Sequence, residues 1–488
     1  MERSDKRILP LMLGGLVVGT LADLLLRTVP WGINILLWIT AFMAIVVYLA
    51  RRYGIVIPAR ISRLALPACF FAASFAWRDS DTLKVINGVA LCSLFSLVAL
   101  RRRDGTLAIG RVIEYSLGLL REWLAAPIAY LRASRLTISS LNKVTGMGIG
   151  ATPVAVMRGI LISIPPLLLF GALLCNADAS FERLLVSLLD FDLSAVFSFL
   201  LWLPLCTVIA GGILLRIMLE PERCDLTPVR GGVSLGTVET SILLGTLNLL
   251  FFGFIFSQLG YFFGGSALLA NTEGLKVAIY ARRGFFELVT VSMLVLPLLL
   301  TVHWLLNAGS AKLTYLFRTL SGSLVMMLFA IMASAMHRMY LYQHSFGLTE
   351  LRLYTSTFMV WLALVFVWFL RTVLFEKRDR FAFGALVSCL AIIALLDIAN
   401  PDAIIVSRNT ARLTDNRIDA RYLTTLSSDA VPALIDALPA LEPAHRGTVV
   451  SVLQWRSKSL QTNDWRSWNL SRQTAQDQIR SRLSAYGQ

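Results

Sequence analysis

The sequence predicts an all-α fold: a polytopic transmembrane helix bundle of about eleven spans that carries a small helical extracytoplasmic tail. Three observations predict it. Of the 488 residues, 56% are hydrophobic and only 15% are charged, where a soluble domain carries about 25% charged residues. The mean hydropathy is +0.69. The apolar residues also gather in runs close to the roughly 20 that a helix needs to cross about 30 Å of hydrocarbon. These features exclude a single soluble enzyme domain. They also exclude a disordered chain, which is poor in aromatic and branched residues.

In chain order the spans fall at Ile8–Leu26, Trp31–Ala50, Leu64–Trp77, Val85–Leu100, Gly159–Cys175 and Leu193–Leu215. They continue at Ser241–Phe263, Phe285–Leu306, Ser321–Tyr340, Thr355–Phe375 and Phe381–Ala399. The first run lacks a small-residue cleavage site and reads as a retained span rather than a signal peptide. The third and fourth are short and suit a tilted or re-entrant pair. The chain thus divides into a first bundle at 1–100, a cytoplasmic amphipathic segment at 101–158, a main bundle at 159–399 and a tail at 400–488.

Charge orients the spans. The net charge is +15, and in a membrane protein excess Lys and Arg collect in cytoplasmic loops, so no nucleic-acid partner is implied. With the amino terminus inside, the inner segments hold 25 basic residues and the outer loops 9, with 11 more in the tail. An odd number of spans then places the tail outside. The acidic run from Asp178 to Asp192 agrees with an outer loop.

Two polar pieces interrupt the spans. In 101–158, Ile113, Leu117, Leu120, Trp123 and Leu124 lie near one helical face flanked by charge. This reads as an amphipathic helix on the inner leaflet, its Arg and Lys near anionic headgroups over 101–135. In the tail, Tyr422, Leu423, Leu426, Val431, Leu434 and Leu438 suit a short helical hairpin packed on its own apolar face, with Ser427 or Ser428 as a cap.

Catalytic signatures are weak. No two of the six cysteines are spaced as a CxxC pair, and HExxH, GxSxG and GxxxxGK[ST] do not occur. Gly146, Gly148 and Gly150 imitate a phosphate loop without a preceding strand, and read as a flexible entry into the fifth span. His337 and His344 share a helical face, but a metal site needs more ligands. No catalytic residue, metal site or cofactor is assigned.

Ionisable groups inside spans are costly in lipid and mark function when they sit at mid-depth. Here they lie near span ends, which argues against a proton relay or ion carrier. The outer turn between the ninth and tenth spans gathers Arg338, Tyr342, Glu350, Arg352 and Tyr354, and Thr349 is placed to cap the helix after it. Asp397, Asn400 and Asp402 leave the eleventh span at the same level. The tail adds Asp464, Trp465, Arg466, Trp468 and Arg472. Arg352 or Arg338 is expected to pair with Glu350 or Asp397, because an unpaired charge at that boundary would be costly. The cluster reads either as an interfacial belt that locks the hairpin and docks the tail, or as an outward site for an anionic headgroup or a protein partner.

The stretches SFGLTELRLYTSTFMVWLALVFVWF, DIANPDAIIVSRN, DARYLTTLSSDAVPALI and DWRSWNLSR resemble a bacterial polytopic membrane family. It is the domain of unknown function four-one-seven-three, whose sister family is four-one-five-three. The resemblance runs from about Glu239 to Arg472. Members usually read Tyr-Gly where this chain has Phe346-Gly347, which keeps the ring and loses a hydroxyl. The resemblance implies an integral membrane protein with a tail of this kind and carries no established activity.

The function expected is that of a non-enzymatic envelope protein that senses or scaffolds at the outer face, with an envelope protein as partner of the tail. The alternatives are a transporter or flippase, with Pro165-Pro166, Pro204 and Pro297 breaking helices around a path, and a transferase on a lipid-linked substrate. In the transferase, Glu350 or Asp397 would act as base and Arg338 or Arg352 would hold a phosphate.

Overall fold

The computed structural model describes residues 2–55, 62–99, 123–137, 193–219, 234–270, 274–306, 311–374, 380–411, 419–459 and 464–483, together with positions 159, 163, 166, 167, 170 and 174. Among the described residues there is no strand, only an isolated bridge between Leu235 and Leu306. The architecture is an all-α polytopic helix bundle. Nine of the described helices are long and apolar enough to cross a membrane. Two expected spans account for the difference from eleven. The third is an apolar helix of 13 residues, Ala65–Trp77, and the fifth lies largely outside the described residues. The glycine-rich stretch at 146–150 lies outside them too.

The helices fall into two compact units. One comprises Met1–Leu107, Ser116–Cys224 and Gln461–Gln473; the other comprises Ala108–Tyr115, Asp225–Leu460 and Thr474–Gln488.

The first unit contains α1 (Glu2–Leu26), α2 (Ile33–Arg52), α3 (Ala65–Trp77), α4 (Asp81–Ala99), α5 (residues 123–137) and α6 (Leu193–Met218). Its core is set by small residues. A Cβ added at Gly15 would meet the Gly211 Cα at 2.8 Å, and one at Gly19 would meet Thr207 at 2.2 Å. Glycines four apart on α1 therefore let its backbone touch that of α6, which is how apolar helices gain contact where no hydrophobic force drives them together. Likewise a Cβ at Gly212 would meet the Ala126 carbonyl oxygen at 2.0 Å. That seats α5 by Ala126, Tyr130 and Ala133, all buried. The Tyr130 hydroxyl donates to the Met12 carbonyl at 3.3 Å. Leu124 is exposed, on a different face from the packed Ala126 and Tyr130, and the glycines opposite that packed face select close approach over apolar bulk.

The second unit contains α7 (Thr237–Ala270), α8 (Gly274–Leu305), α9 (Ala311–Phe346), α10 (Glu350–Thr372) and α11 (Phe381–Ala399). These pack on a dry core of Leu244, Phe285, Phe317, Leu324, Phe366 and Phe369. The 36 residues of α9 extend for about 54 Å, well beyond the hydrocarbon thickness of about 30 Å.

The tail follows as α12 (Pro401–Thr410), α13 (Ala420–Thr425), a 3-10 turn Ser428–Ala430, α14 (Val431–Ala437), α15 (Pro443–Ser459) and α16 (Leu470–Arg482). It has two small apolar cores. Ile405, Val406, Leu423, Leu426 and Leu434 form one. Val431, Ile435, Leu438, Val449, Leu453 and Ile479 help to form the other. Ser427 caps the 3-10 turn by accepting from the Asp429 N–H at 3.2 Å, as its position in sequence suggests. α16, which was not anticipated, supplies Ala475 and Ile479 to the second core, and Leu483 follows it there.

Candidate functional site

The residues gathered by the sequence reading divide between the units. In the first unit, Asp464 to Arg472 form a clasp over the turns that end α1 and α3. The clasp works by satisfying main-chain groups that helix ends leave orphaned. The Trp468 carbonyl accepts from Ile33 N–H at 2.9 Å, at the start of α2. Asn469, buried, donates to the carbonyls of Phe75 and Arg78 at 2.9 Å each, at the end of α3. A Cβ at Gly32 would lie 2.2 Å from the Trp468 carbonyl oxygen, so glycine is what admits the strand of the clasp.

One short segment thus holds the start of α2 and the end of α3. The chain leaves this level in α2 and is back at it by the end of α3. For a helix of 13 residues, spanning about 20 Å, this means that the short third span forms the returning arm of a hairpin.

Charge in the clasp is balanced. Arg472 Nε lies 3.2 Å from Asp79 Oδ1, and Lys84 Nζ lies 2.8 Å from the same oxygen. Arg472 Nη2 also donates to the Trp31 carbonyl at 3.1 Å. Burial pulls the Arg472 guanidinium below its ordinary range, against the upward pull of Asp79 and Asp81. Arg466 grips Asp464 through Nε and Nη2 and donates from Nη1 to the Leu24 carbonyl at 2.6 Å. These bonds hold the Asp464 carboxyl down to about 2. Leu24, Thr28, Val29 and Trp465 border, with that pair, an open depression of about 660 Å³. Trp465 and Trp468 are exposed.

In the second unit the turn between α9 and α10 is tied to the tail. Gly347, at φ +77°, makes the reversal, which few other residues tolerate. Asn409 of α12 closes it: its Oδ1 accepts from Leu348 N–H at 2.7 Å and its Nδ2 donates to the Leu348 carbonyl at 2.8 Å. Thr349 sits at the cap position of α10, but its hydroxyl makes no cap bond. The Tyr422 hydroxyl accepts from the Glu350 N–H instead, at 2.9 Å. Tertiary packing puts a phenol where the local rule places a threonine.

Arg352 departs from its expected pairing. Its Nη1 donates to the carbonyls of Phe346 and Gly347, and its guanidinium lies 4.2 Å from the centre of the Tyr342 ring. The planar cation is thus used as a fork for backbone and as a ring partner. Arg338 and Tyr354 lie half-buried on the neighbouring turns, and Asp397 is fully buried in the last turn of α11.

Asn400 is the joint from span to tail. It is left-handed, at φ 55°, a conformation that Asn tolerates better than most residues. Its N–H donates to Leu396 O, its Oδ1 accepts from Ala403 N–H, and its Nδ2 donates to Asp429 O at 3.2 Å. Next to it Asp402, 1% exposed, accepts from the Ser427 N–H at 3.1 Å and from the Ser427 hydroxyl. Asp402 also hydrogen-bonds Glu350. Burial raises the Asp402 carboxyl above its ordinary range, and Asp429 adds to this, while the bonds from Ser427 and Glu350 oppose it. Among the described residues no three His, Cys, Asp or Glu side chains are placed to hold a metal ion.

Asn409, Tyr422, Ser427, Asn469 and Asp79 are the principal members of these two turns that sequence reasoning did not place in the site. The one signal they carry is polar residues close to predicted helix ends.

A family model described as Domain of unknown function (DUF4153) matches residues 65–437. The matched family is the one named as a sister in the sequence reading, not the four-one-seven-three family put first, and the match begins well before Glu239. No curated protein matches the chain. No solved structure matches it either.

Proposed function

Because the chain belongs to the family of Domain of unknown function (DUF4153), we propose that it is a non-enzymatic protein of the bacterial inner membrane whose outer face senses or scaffolds. Its amino terminus is cytoplasmic and its tail lies outside. The basic residues concentrate in the loops assigned to the inside, which supports this orientation.

One observation carries the functional reading. The polar side chains of both turns are directed to main-chain groups: Asn469, Asn409, Tyr422, Arg352 and Arg466 each bond a carbonyl or an N–H. A tail core closes beside one of the turns. Side chains used in this way build a rigid platform. The same use of Arg352 weighs against a transferase in which it would hold a phosphate.

The platform's exposed aromatic side chain on α15 is Trp455, a residue type that dominates protein interfaces. In intact cells, an amine crosslinker that cannot cross the membrane should join the full-length chain to a defined envelope protein. Trp455→Ala should reduce that product several-fold with the chain still present in normal amount. A chain that yields no crosslinked partner from outside would overturn both the reading and the assigned orientation.

A further inference from the structure

We propose that Glu350 and Asp402 share a single proton, and that this proton latches α10 to the tail so that the outer face responds to external acidity. The inference deepens the sensing reading above and rests on it for its purpose, though not for its chemistry.

The geometry leaves one atom to explain. Asp402 Oδ2 is filled by the two bonds from Ser427. Asp402 Oδ1 is buried and receives no N–H or hydroxyl donor. The remaining partner of Asp402 is the Glu350 carboxyl, to which it hydrogen-bonds. Ionised carboxylates are acceptors only, so such a bond exists only when one of the two carries a hydrogen.

Polar and charged groups reach the neighbourhood of Asp402 from five elements. From α10 come Glu350 and Arg352, and Arg352 points to the carbonyls of Phe346 and Gly347. α13 presents the Tyr422 hydroxyl, which accepts from Glu350 N–H. The 3-10 turn presents Asp429, a second negative charge acting on Asp402. The α11–α12 joint presents Asn400, held by Asp429 O, with Asp397 one turn earlier. α15 presents Arg456, which donates to the carbonyls of Ser427 and Thr424 at 3.4 and 3.0 Å. No cation forms an ion pair with Asp402 among the described residues. Asp429 is near, but among the described residues no three His, Cys, Asp or Glu side chains are placed to hold a metal ion, which favours a proton over a divalent ion between the two acids.

The sign follows from burial. Asp402 is held above its ordinary range in the folded protein, so the proton favours the closed form. Below the ordinary carboxylate value the latch is fully closed. As pH rises through the raised value the proton leaves, the buried Asp402 carboxylate faces the half-buried Glu350 carboxylate, and the contact between α10, α12 and the Ser427 turn loosens. Tyr422 and Ser427 are the partners released with it.

Hydrogen exchange on the full-length protein in lipid nanodiscs tests this, read at residues 346–352 and 419–430 and corrected for the intrinsic pH dependence of exchange. The wild type should open progressively as pH is raised from acid, by at most about tenfold per pH unit, the limit for one proton. Asp402→Asn and Glu350→Gln each place a permanent amide donor between the two groups. Both variants should stay closed, with a flat profile. The proposal is overturned if the wild type is flat, or if both amide variants titrate as it does. It is also overturned if millimolar Mg²⁺ or Ca²⁺ recloses the wild type at high pH and not Asp402→Asn, since the pair would then be a cation site. The measurement needs no partner, so its failure leaves the crosslinking result standing, and the converse holds.

Discussion

The two polar turns solve one problem with different charge balance. Each uses side chains from late in the chain to satisfy main-chain groups that helix ends expose. In the clasp of residues 464–472, every acid that contributes has a cation against it: Asp79 has Arg472 and Lys84, and Asp464 has Arg466. At the α10–tail junction the acids Glu350, Asp402 and Asp429 meet around one serine and one phenol. Arg352 is turned to carbonyls rather than to those acids. A balanced set stays charged over the whole physiological range and acts as a fixed fastening. In the acid-rich set burial raises the Asp402 carboxyl, so its hold is the one that responds to acidity.

The comparison breaks first at Arg472. Arg472→Ala removes the cation that reaches Asp79 from the clasp and the donor to the Trp31 carbonyl. The expected loss is toward the low end of about 3–5 kcal/mol, because Lys84 still faces Asp79. Thermal melting in detergent and the folded amount in membranes should both fall, while Arg408→Ala, on an exposed side chain, should leave them unchanged. A normal melt for Arg472→Ala would mean that the clasp does not hold the turns.

At the other turn, Asn409→Ala leaves the N–H and carbonyl of Leu348 without partners. Orphaning such groups costs about 1–3 kcal/mol, seen as a lower unfolding midpoint and faster exchange at residues 346–349. The smallest effect sharpens the contrast in pH. Asp464 is depressed to about 2 from an ordinary 3.8. The stability that its pairing with Arg466 contributes is therefore complete above the ordinary value, and it is lost only as pH falls through about 2. Exchange at the N–H groups of residues 466–468, corrected for its intrinsic pH dependence, should be indifferent to pH through the transition in which the α10–tail junction opens. A clasp that titrated with the junction would erase the distinction.

The span pattern was readable because bilayer thickness writes it into the chain. Ile8–Leu26 and Phe381–Ala399 are identical in sequence and structure, and the apolar stretches of α2, α8 and α10 (Ile33–Arg52, Phe285–Leu305 and Glu350–Thr372) agree within five residues. The candidate site was legible as a neighbourhood, not as pairings. Asn469 and the Phe75 carbonyl are 394 positions apart, and Tyr422 lies 72 from the N–H it caps. A bond from a side chain to a distant main-chain atom leaves no spacing to read. Thr349 obeys the local cap preference and is overruled by a phenol delivered from the tail. The protein-facing side of α5 leaves no apolar pattern to read for a related reason: its packing is decided by Gly211 and Gly212, whose importance lies in what they lack.

The clasp also has a consequence for biosynthesis. Residues 464–472 lie after every predicted span, yet they complete the unit that holds α1 and α2. Chains fold from the amino terminus as they emerge, so α1 to α6 are made before the donors to the carbonyls of Phe75, Arg78 and Leu24. A message cut short anywhere before Asp464 would leave those bonds unmade, so the amino-terminal helices are completed only by the end of the chain.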